Sequence, residues 1–165
     1  MWGIHWFGLR VKQRSEFRAC GELSLRGFEA FLPSQRVRRR WSDRTQVVEE
    51  PLFPGYLFCR FERSDRIRIL ETPGVIQVVG FGERLAPIDE AEIDAIQRMV
   101  ASRVELTPWP YLGAGQQIVI DAGPLAGVRG VIIRTETGNP RVVVSVTLMQ
   151  RSITAEIDRE WIDVH

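Results

Sequence analysis

Pro108 and Pro110 divide the 165-residue chain into two parts of different character. Proline lacks a backbone N–H and restricts the residue before it, so a helix cannot continue through this segment. Before the prolines, apolar residues recur at both helical and strand spacing, whereas short β-branched runs follow them. We therefore predict one domain over residues 1–103, a linker over 104–112 and a second domain over 113–165.

Strands alternate with helices in the first part. His5–Val11 is typical of a buried strand, and Ser15 followed by Glu16 is typical of a helix start. Charged residues on both sides of a turn near Trp41 predict a hairpin that lies outside the core. Asp89-x-x-Glu92 forms a capping box that opens a further helix. The pattern predicts an α+β fold, with helices packed on an antiparallel sheet.

Short β-branched runs separated by glycine and proline make up the second part. About fifty residues are too few for a sandwich of two sheets, so we predict a small, closed, five-stranded β-barrel. The strands are predicted over 117–120, 128–135, 141–146, 152–157 and 161–164.

Composition excludes several classes of protein. Hydrophobic residues make up 44% of the chain and charged residues 26%, as in ordinary globular proteins. No apolar run approaches the length of a membrane span, and the first residues lack the pattern of a signal peptide. Cys20 and Cys59 lie far apart without CxxC spacing. We expect a cytoplasmic protein with no metal, no cofactor and no membrane association.

Positive charge is concentrated in the first half of the chain. Residues 1–70 contain 14 Lys and Arg against 8 Asp and Glu, whereas residues 71–165 contain 8 against 13. This asymmetry indicates that the first half faces an anionic partner. Lys12 is the only lysine, and arginine suits contacts with phosphate and bases. A GC-rich genome would explain the arginine bias equally well, so only the location of the charges carries weight.

The residues that usually carry catalysis are scarce. His5 lies within a predicted strand and His165 ends the sequence, and neither has a Cys or Asp partner at ligand spacing. Motifs of hydrolases, metalloproteases and nucleotide-binding proteins are absent from the sequence. We expect a binding protein and no enzymatic activity, although an enzyme with a basic substrate cleft remains an alternative.

Two glycine-containing motifs occur in order along the chain. The first is PLFPGYLF at 51–58, followed by TPGV at 72–75 and GFG at 80–82; the second is GPLAGVRG at 123–130. With the opening HWFGLRVK, the first motif resembles the N-terminal (NGN) domain of NusG-type transcription elongation factors, in particular the RfaH-like paralogues. The second resembles the KOW motif of the SH3-like barrel in the same family.

The resemblance implies an elongation and antitermination factor that binds RNA polymerase and suppresses pausing or termination on selected operons. The family's N-terminal domain bridges the β′ and β subunits beside the non-template DNA strand. An aromatic pocket binds the β′ clamp helices, and the matching residues here are Trp6, Tyr56, Phe58 and Phe81. Aromatic residues in such strands also suit an ordinary core, which leaves both roles open.

Further positions match the family's DNA contacts. These residues are Lys12, Arg14, Arg18, Arg26 and Thr72, most of them on or next to the first predicted helix. Arginines on one helical face can hold a phosphate backbone or stack on single-strand bases. A solvated helix face would show the same pattern.

Two other regions match partner contacts in the family. Asp65, Arg66 and Arg68 match the region facing the β gate loop, without the hydroxyl-rich pattern of RfaH. Met149 and Arg151 lie in the loop that binds Rho or a small ribosomal subunit protein in general NusG. Phenylalanine is usual at the position of Met149, so Rho binding is in doubt and the ribosomal contact stays open. The family suggests a monomer.

A ribosome-associated KOW protein that binds RNA is the main alternative. Small KOW barrels also occur in ribosomal proteins, but that function predicts a strongly basic barrel. The second half of this chain is acidic. RfaH folds the equivalent domain into helices when free, whereas the β-branched runs here predict strands.

Overall fold

The computed structural model describes residues 3–81, 84–134 and 138–162, except for the side chain of Phe81. The chain divides into two compact units. The first comprises Met1–Pro33 and Phe53–Ile93, and the second comprises Ser34–Leu52 and Asp94–His165. The domain limits predicted from the sequence stay a prediction.

The elements follow the predicted alternation of strands and helices. The α-helices are α1 (Glu16–Leu25), α2 (Arg66–Leu70) and α3 (Glu90–Ala101), and short 3-10 helices span Arg63–Asp65 and Arg159–Trp161. The strands are β1 (His5–Val11), β2 (Glu29–Phe31), β3 (Ser34–Trp41), β4 (Arg44–Pro51), β5 (Tyr56–Phe61), β6 (Val75–Val78), β7 (Gly80–Phe81), β8 (Arg84–Leu85), β9 (Thr107–Trp109), β10 (Gln117–Val119), β11 (Arg129–Ile133), β12 (Arg141–Val146) and β13 (Arg151–Glu156).

A four-stranded antiparallel sheet in the order β2-β5-β1-β6 forms the centre of the first unit. Side chains alternate between its two faces because strand residues have a period of two. One face packs against α1 and α2 and supplies the core. The core residues are Phe7, Leu9 and Val11 of β1, Leu57, Cys59 and Phe61 of β5, Ala19 and Leu23 of α1, and Ile69 of α2.

The second unit contains a five-stranded antiparallel sheet in the order β10-β11-β12-β13-β9. The fifth strand, Thr107–Trp109, lies in the segment expected to be a linker. The predicted strand over 161–164 is wrong where it is described, since Trp161 ends a 3-10 helix that begins at Arg159. Residues 163–165 lie outside the described part. No pairing joins β10 to β9 in the described ranges, so the closed barrel stays a prediction.

A hairpin of two eight-residue strands, β3 and β4, also belongs to the second unit. Its base is fixed by the side-chain amide of Gln35. Gln35 Oε1 accepts a hydrogen bond of 2.9 Å from the backbone N–H of Leu106, and Gln35 Nε2 donates to the carbonyl oxygen of the same residue. This double hydrogen bond ties the hairpin to the chain just before β9.

The mixed α+β class predicted from the sequence is confirmed. In the described residues after Pro110, the chain forms β10 to β13, as its β-branched composition predicts, and not a helical hairpin. Across the described residues, no helix is both long and apolar enough to cross a membrane.

Candidate functional site

The second face of the first unit's sheet carries a row of aromatic rings. Phe31 lies between Trp6 and Phe58, with ring centroids 6.5 Å and 6.1 Å away, and Phe53 meets Phe58 edge-on at 5.8 Å. Edge-to-face and stacked arrangements at these distances are favourable. The register explains the row, because Phe58 faces Gly8 on one side and Phe31 on the other.

Burial distinguishes the predicted pocket residues. Phe58 is 0% exposed and Trp6 is 7% exposed, so both lie within the fold. Tyr56 is half-buried and stands directly opposite Arg10 on β1. The side chain of Phe81 lies outside the described residues. Among the predicted aromatic residues whose side chains are described, Tyr56 is therefore the one with appreciable exposed surface.

Arg10 extends this face beyond the predicted residues. It is exposed and lies between Tyr56 on β5 and Gln77 on β6. Strand alternation alone places Arg10 on the same face as Trp6, so the sequence contained the signal for it. Arg10 connects the aromatic row with the basic residues that follow β1.

The turn before Tyr56 is held by a buried carboxylate. Gly55 adopts φ of +84°, a left-handed conformation that favours glycine. Its N–H donates to Glu16 Oε2 at 3.0 Å, and its carbonyl accepts from the N–H of Val11 at 2.8 Å. Glu16 was predicted only as a helix-start residue, and its contact with Gly55 is long-range. This contact fixes where β5 begins and so where Tyr56 lies.

Exposed cations cluster between β1 and α1. Lys12, Arg14 and Arg18 are all exposed, and none forms an ion pair within the described ranges. Arg14 has φ of +67° in the turn closed by the hydrogen bond from Ser15 N–H to the Lys12 carbonyl at 3.0 Å. Lys12 N–H donates to the Gly74 carbonyl at 2.9 Å, which brings the TPGV segment beside this cluster.

The other two predicted DNA residues are in different surroundings. Arg26 forms an ion pair with Glu22 at 2.7 Å one helical turn away. Thr72 is buried, and its hydroxyl donates to the carbonyl of Arg68 at 3.0 Å. Lys12, Arg14 and Arg18 are therefore exposed cations without an ion pair among the described residues, whereas Arg26 is already paired and Thr72 is buried.

The predicted gate-loop residues form part of the packing around α2. Arg68 lies 3.6 Å from Asp65, stacks over Phe28 at 4.8 Å and donates to the carbonyl of Arg26 at 3.2 Å. The Nε of Arg66 is buried without a hydrogen-bond partner in the described residues. Ile67 lies between them and is largely exposed. Asp65 and Arg68 thus contribute to the fold of this region before any partner is considered.

The predicted partner loop of the second unit presents a charged residue rather than an apolar one. Met149 is only 5% exposed. Arg151 is exposed, and its guanidinium donates to the carbonyls of Met149 and Gln150 at 3.3 Å and 3.1 Å. Gln150 has φ of +51°, which marks a tight turn.

Neither cysteine suits nucleophilic chemistry. Burial raises the pKa of the Cys59 thiol to about 12, and burial also raises the pKa of Cys20. A thiol must ionise to react, so these environments disfavour reactivity. Within the described residues, no group of three or more His, Cys, Asp or Glu could hold a metal ion.

The aromatic row, the basic cluster and the sheet all lie in the part of the chain that a known family covers. The NusG family model, described as transcription termination factor nusG, matches residues 4–97, which is more than half of the chain. The chain belongs to the NusG family.

Curated relatives and a solved structure agree with this assignment. The transcription termination/antitermination protein NusG of Thermus thermophilus is 25% identical over 175 residues, with 94% of this chain and 95% of the relative covered. The protein of the same name from Pseudomonas aeruginosa is 28% identical over 134 residues, with 79% and 76% covered. A solved structure described as domain interaction in Thermotoga maritima NusG has a TM-score of 0.57, 20% identity and 96% coverage of each chain. At that identity the likeness supports the fold.

Proposed function

We propose that this chain is a transcription elongation and antitermination factor that binds RNA polymerase and suppresses pausing or termination on selected operons. Membership of the NusG family supports a role in transcription. One observation carries the proposal further. One face of a single sheet bears the aromatic row and, two positions from Phe58, the half-buried Tyr56; the exposed cations of the basic cluster begin two residues beyond Arg10.

The aromatic row is the proposed binding site for the clamp helices of the β′ subunit. Tyr56 makes the outer contact, and Trp6 and Phe58 hold the shape beneath it. Tyrosine is frequent among the few residues that dominate binding energy, since its ring is apolar and its hydroxyl tolerates a wet rim. Asp65, Arg66 and Arg68 are the proposed contact with the β gate loop, and the exposed Ile67 of α2 lies between Arg66 and Arg68 in the chain.

The basic cluster of Lys12, Arg14 and Arg18 is proposed to contact the non-template DNA strand. These cations form no ion pair among the described residues. Binding phosphate therefore costs them little free energy, because no such pair has to be broken first. Arg26 already pairs with Glu22, and Thr72 is buried. We therefore assign these two a supporting role in shaping the surface.

The proposed mechanism is a shift of population and involves no chemistry by this chain. A factor that bridges two polymerase subunits and steadies the open DNA favours the active state by its differential affinity for that state. It acts in the cytoplasm as a monomer and without a cofactor. The exposed Arg151, the first residue of β13, is the proposed site for a small ribosomal subunit protein.

A pause assay on purified elongation complexes tests the proposal. The wild-type chain is expected to shorten pause lifetimes, and Tyr56→Ala to weaken binding to polymerase by about thirtyfold or more, as at other interface hot spots. The chain's only other tyrosine, Tyr111, is exposed in the second unit, so Tyr111→Ala is a matched control that should retain activity. Pause lifetimes that the wild-type chain leaves unchanged would refute the proposal.

The DNA contact has a separate readout. The triple variant Lys12→Gln, Arg14→Gln, Arg18→Gln should still bind polymerase but lose crosslinking to the non-template strand. Arg26→Gln removes a cation that already has a partner and should have a much smaller effect. If both variants crosslink as the wild type does, the basic cluster does not contact that strand.

A further inference from the structure

The β3–β4 hairpin presents two chemically different faces. Antiparallel partners lie on the same side of a ribbon, and successive residues alternate between the sides. We call one side the compensated face; it consists of Gln35, Val37, Arg39 and Trp41 with Arg44, Gln46, Val48 and Glu50. We call the other the arginine face; it consists of Ser34, Arg36, Arg38 and Arg40 with Thr45, Val47, Glu49 and Pro51.

On the compensated face, the charged and aromatic groups have partners within the second unit. Arg39 donates two hydrogen bonds to the carboxylate of Glu50, at 2.6 Å and 2.5 Å. The guanidinium of Arg44 lies 5.7 Å from the centre of the Trp41 ring. Gln35 binds the backbone of Leu106. The cations of this face are therefore already compensated by the hairpin itself.

On the arginine face, three guanidinium groups have no ion-pair partner among the described residues. Arg36, Arg38 and Arg40 are all exposed, and the ion pairs of the described ranges involve other arginines. The one acid among the eight residues of this face is Glu49, opposite Arg36, and it accepts a hydrogen bond from Ser34 Oγ at 2.9 Å. The structure thus concentrates positive charge on one side of the ribbon.

The spacing of these arginines suits a regular row of anions. Residues i, i+2 and i+4 of a strand are about 7 Å apart from one to the next. Successive phosphates along one nucleic-acid strand have a comparable separation. Guanidinium groups bind phosphate with paired, charge-assisted hydrogen bonds. Three such groups in line match three phosphates of one backbone.

We propose that the arginine face binds the phosphate backbone of a nucleic-acid duplex. Binding of single strands relies on aromatic side chains on which bases stack, and the eight residues of the arginine face include no aromatic one. The exposed Trp41 points to the compensated face. A surface of arginine, threonine and valine suits backbone contacts that position a duplex without reading its sequence. The proposal does not depend on binding to polymerase.

Fluorescence anisotropy of the full chain with a labelled 30-bp DNA duplex, without polymerase, tests the proposal. The slope of log Kobs against log salt should fall in magnitude by about 2 to 3 in the triple variant Arg36→Gln, Arg38→Gln, Arg40→Gln, since each phosphate contact contributes about 0.9. A second duplex of unrelated sequence should give the same result. Circular dichroism melting checks that the variant is folded.

Two single variants separate a specific face from general positive charge. Arg38→Gln and Arg39→Gln each remove one cation from neighbouring positions on opposite faces of the hairpin. The proposal expects a loss of about one unit of slope for Arg38→Gln and no loss of slope for Arg39→Gln. Equal effects of the two variants would overturn it, as would a wild-type chain that does not bind the duplex.

Two further probes decide which nucleic acid is bound. A single strand of the same length should bind more weakly and respond less to the triple variant; equal binding with an equal response would overturn the assignment to a duplex. An RNA duplex offers the same phosphate groups as a DNA duplex, so comparing the affinities for the two identifies which nucleic acid the arginine face binds. Tighter binding to RNA would assign the face to RNA, and tighter binding to DNA would assign it to DNA.

Discussion

Glu16, in the first turn of α1, accepts a hydrogen bond of 3.0 Å from the backbone N–H of Gly55, 39 residues further along the chain. The carboxylate is buried, with 6% of the residue exposed. One contact therefore joins the start of the first helix, which carries Arg18, to the turn that immediately precedes Tyr56 at the start of β5.

Removing the Glu16 carboxylate should destabilise the chain. Glu16→Ala leaves a buried N–H without a partner, which costs about 1–3 kcal/mol in the free energy of unfolding. Glu16→Gln keeps an acceptor oxygen and should cost less. Urea denaturation measures both, and Glu71→Ala, at an exposed glutamate, is the control. Equal midpoints for Glu16→Ala and Glu71→Ala would show that the hydrogen bond does not stabilise the fold.

Gly130 should be intolerant of even one added methyl group. A Cβ there would lie 2.7 Å from Val142 Cγ2 and 2.7 Å from the carbonyl oxygen of Val143, and the backbone of β12 cannot easily move. Gly130→Ala is expected to destabilise the second unit by about 1–3 kcal/mol.

Gly21 is the natural counterpart, since it lies in α1 and a methyl group added there would meet open space. Gly21→Ala should stabilise the chain by about 0.5–1 kcal/mol, because alanine has the higher helix propensity. Thermal melting followed by circular dichroism compares the two variants. If the melting temperatures of both variants shifted in the same direction, this would contradict the surroundings assigned to Gly130 and Gly21.

Cys59 should resist alkylation in the folded chain. Its pKa of about 12 leaves almost no thiolate at about pH 8, and the side chain is fully buried. Cys20 is half-buried with a pKa that is also raised, so it should react slowly but first. Peptide mass spectrometry after timed treatment with iodoacetamide gives the order. Modification of Cys59 before Cys20 would be inconsistent with the packing of β5.

Acid should loosen the hairpin through the pair of Arg39 and Glu50. The hydrogen bond from Arg39 lowers the pKa of Glu50 below its ordinary value of 4.5. A carboxyl whose pKa is lowered by folding stabilises the fold above its unfolded pKa, and this contribution is lost as the pH falls through the folded pKa. NMR amide shifts of Val37 and Val48 should therefore move below about pH 4.5. Glu50→Gln should remove the transition, and an unchanged profile would exclude the pair as its cause.

Local sequence patterns were sufficient for much of the fold. Alternation within His5–Val11 places Phe7, Leu9 and Val11 on the core face, and β12 follows from its run of valines. Burial of individual aromatic residues was not predictable in the same way. Tyr56 and Phe58 are two positions apart on one face, and only the tertiary position of Phe31 and Phe53 makes Phe58 the buried one.

A proline and a capping side chain explain two features of the second unit that the sequence pattern did not predict. Pro108 and Pro110 exclude a helix and led to the prediction of a linker, yet Thr107–Trp109 is the edge strand of its sheet, where a residue without an N–H is tolerated. The apolar character of Trp161 suggested a strand. The Asp158 carboxylate instead accepts a hydrogen bond of 3.0 Å from the N–H of Glu160 and starts a 3-10 turn. Both outcomes depend on neighbours that periodicity does not reveal.

The amide of Gln35 gives the hairpin a reference point outside its own two strands. Because it binds both the N–H and the carbonyl of Leu106, the ribbon takes its direction from the segment that leads into β9. Inserting or deleting a residue between α3 and Leu106 would change the direction of the β3–β4 hairpin without altering any of the hairpin's own residues. A change in the length of that short connection would thus change which molecules the hairpin can contact.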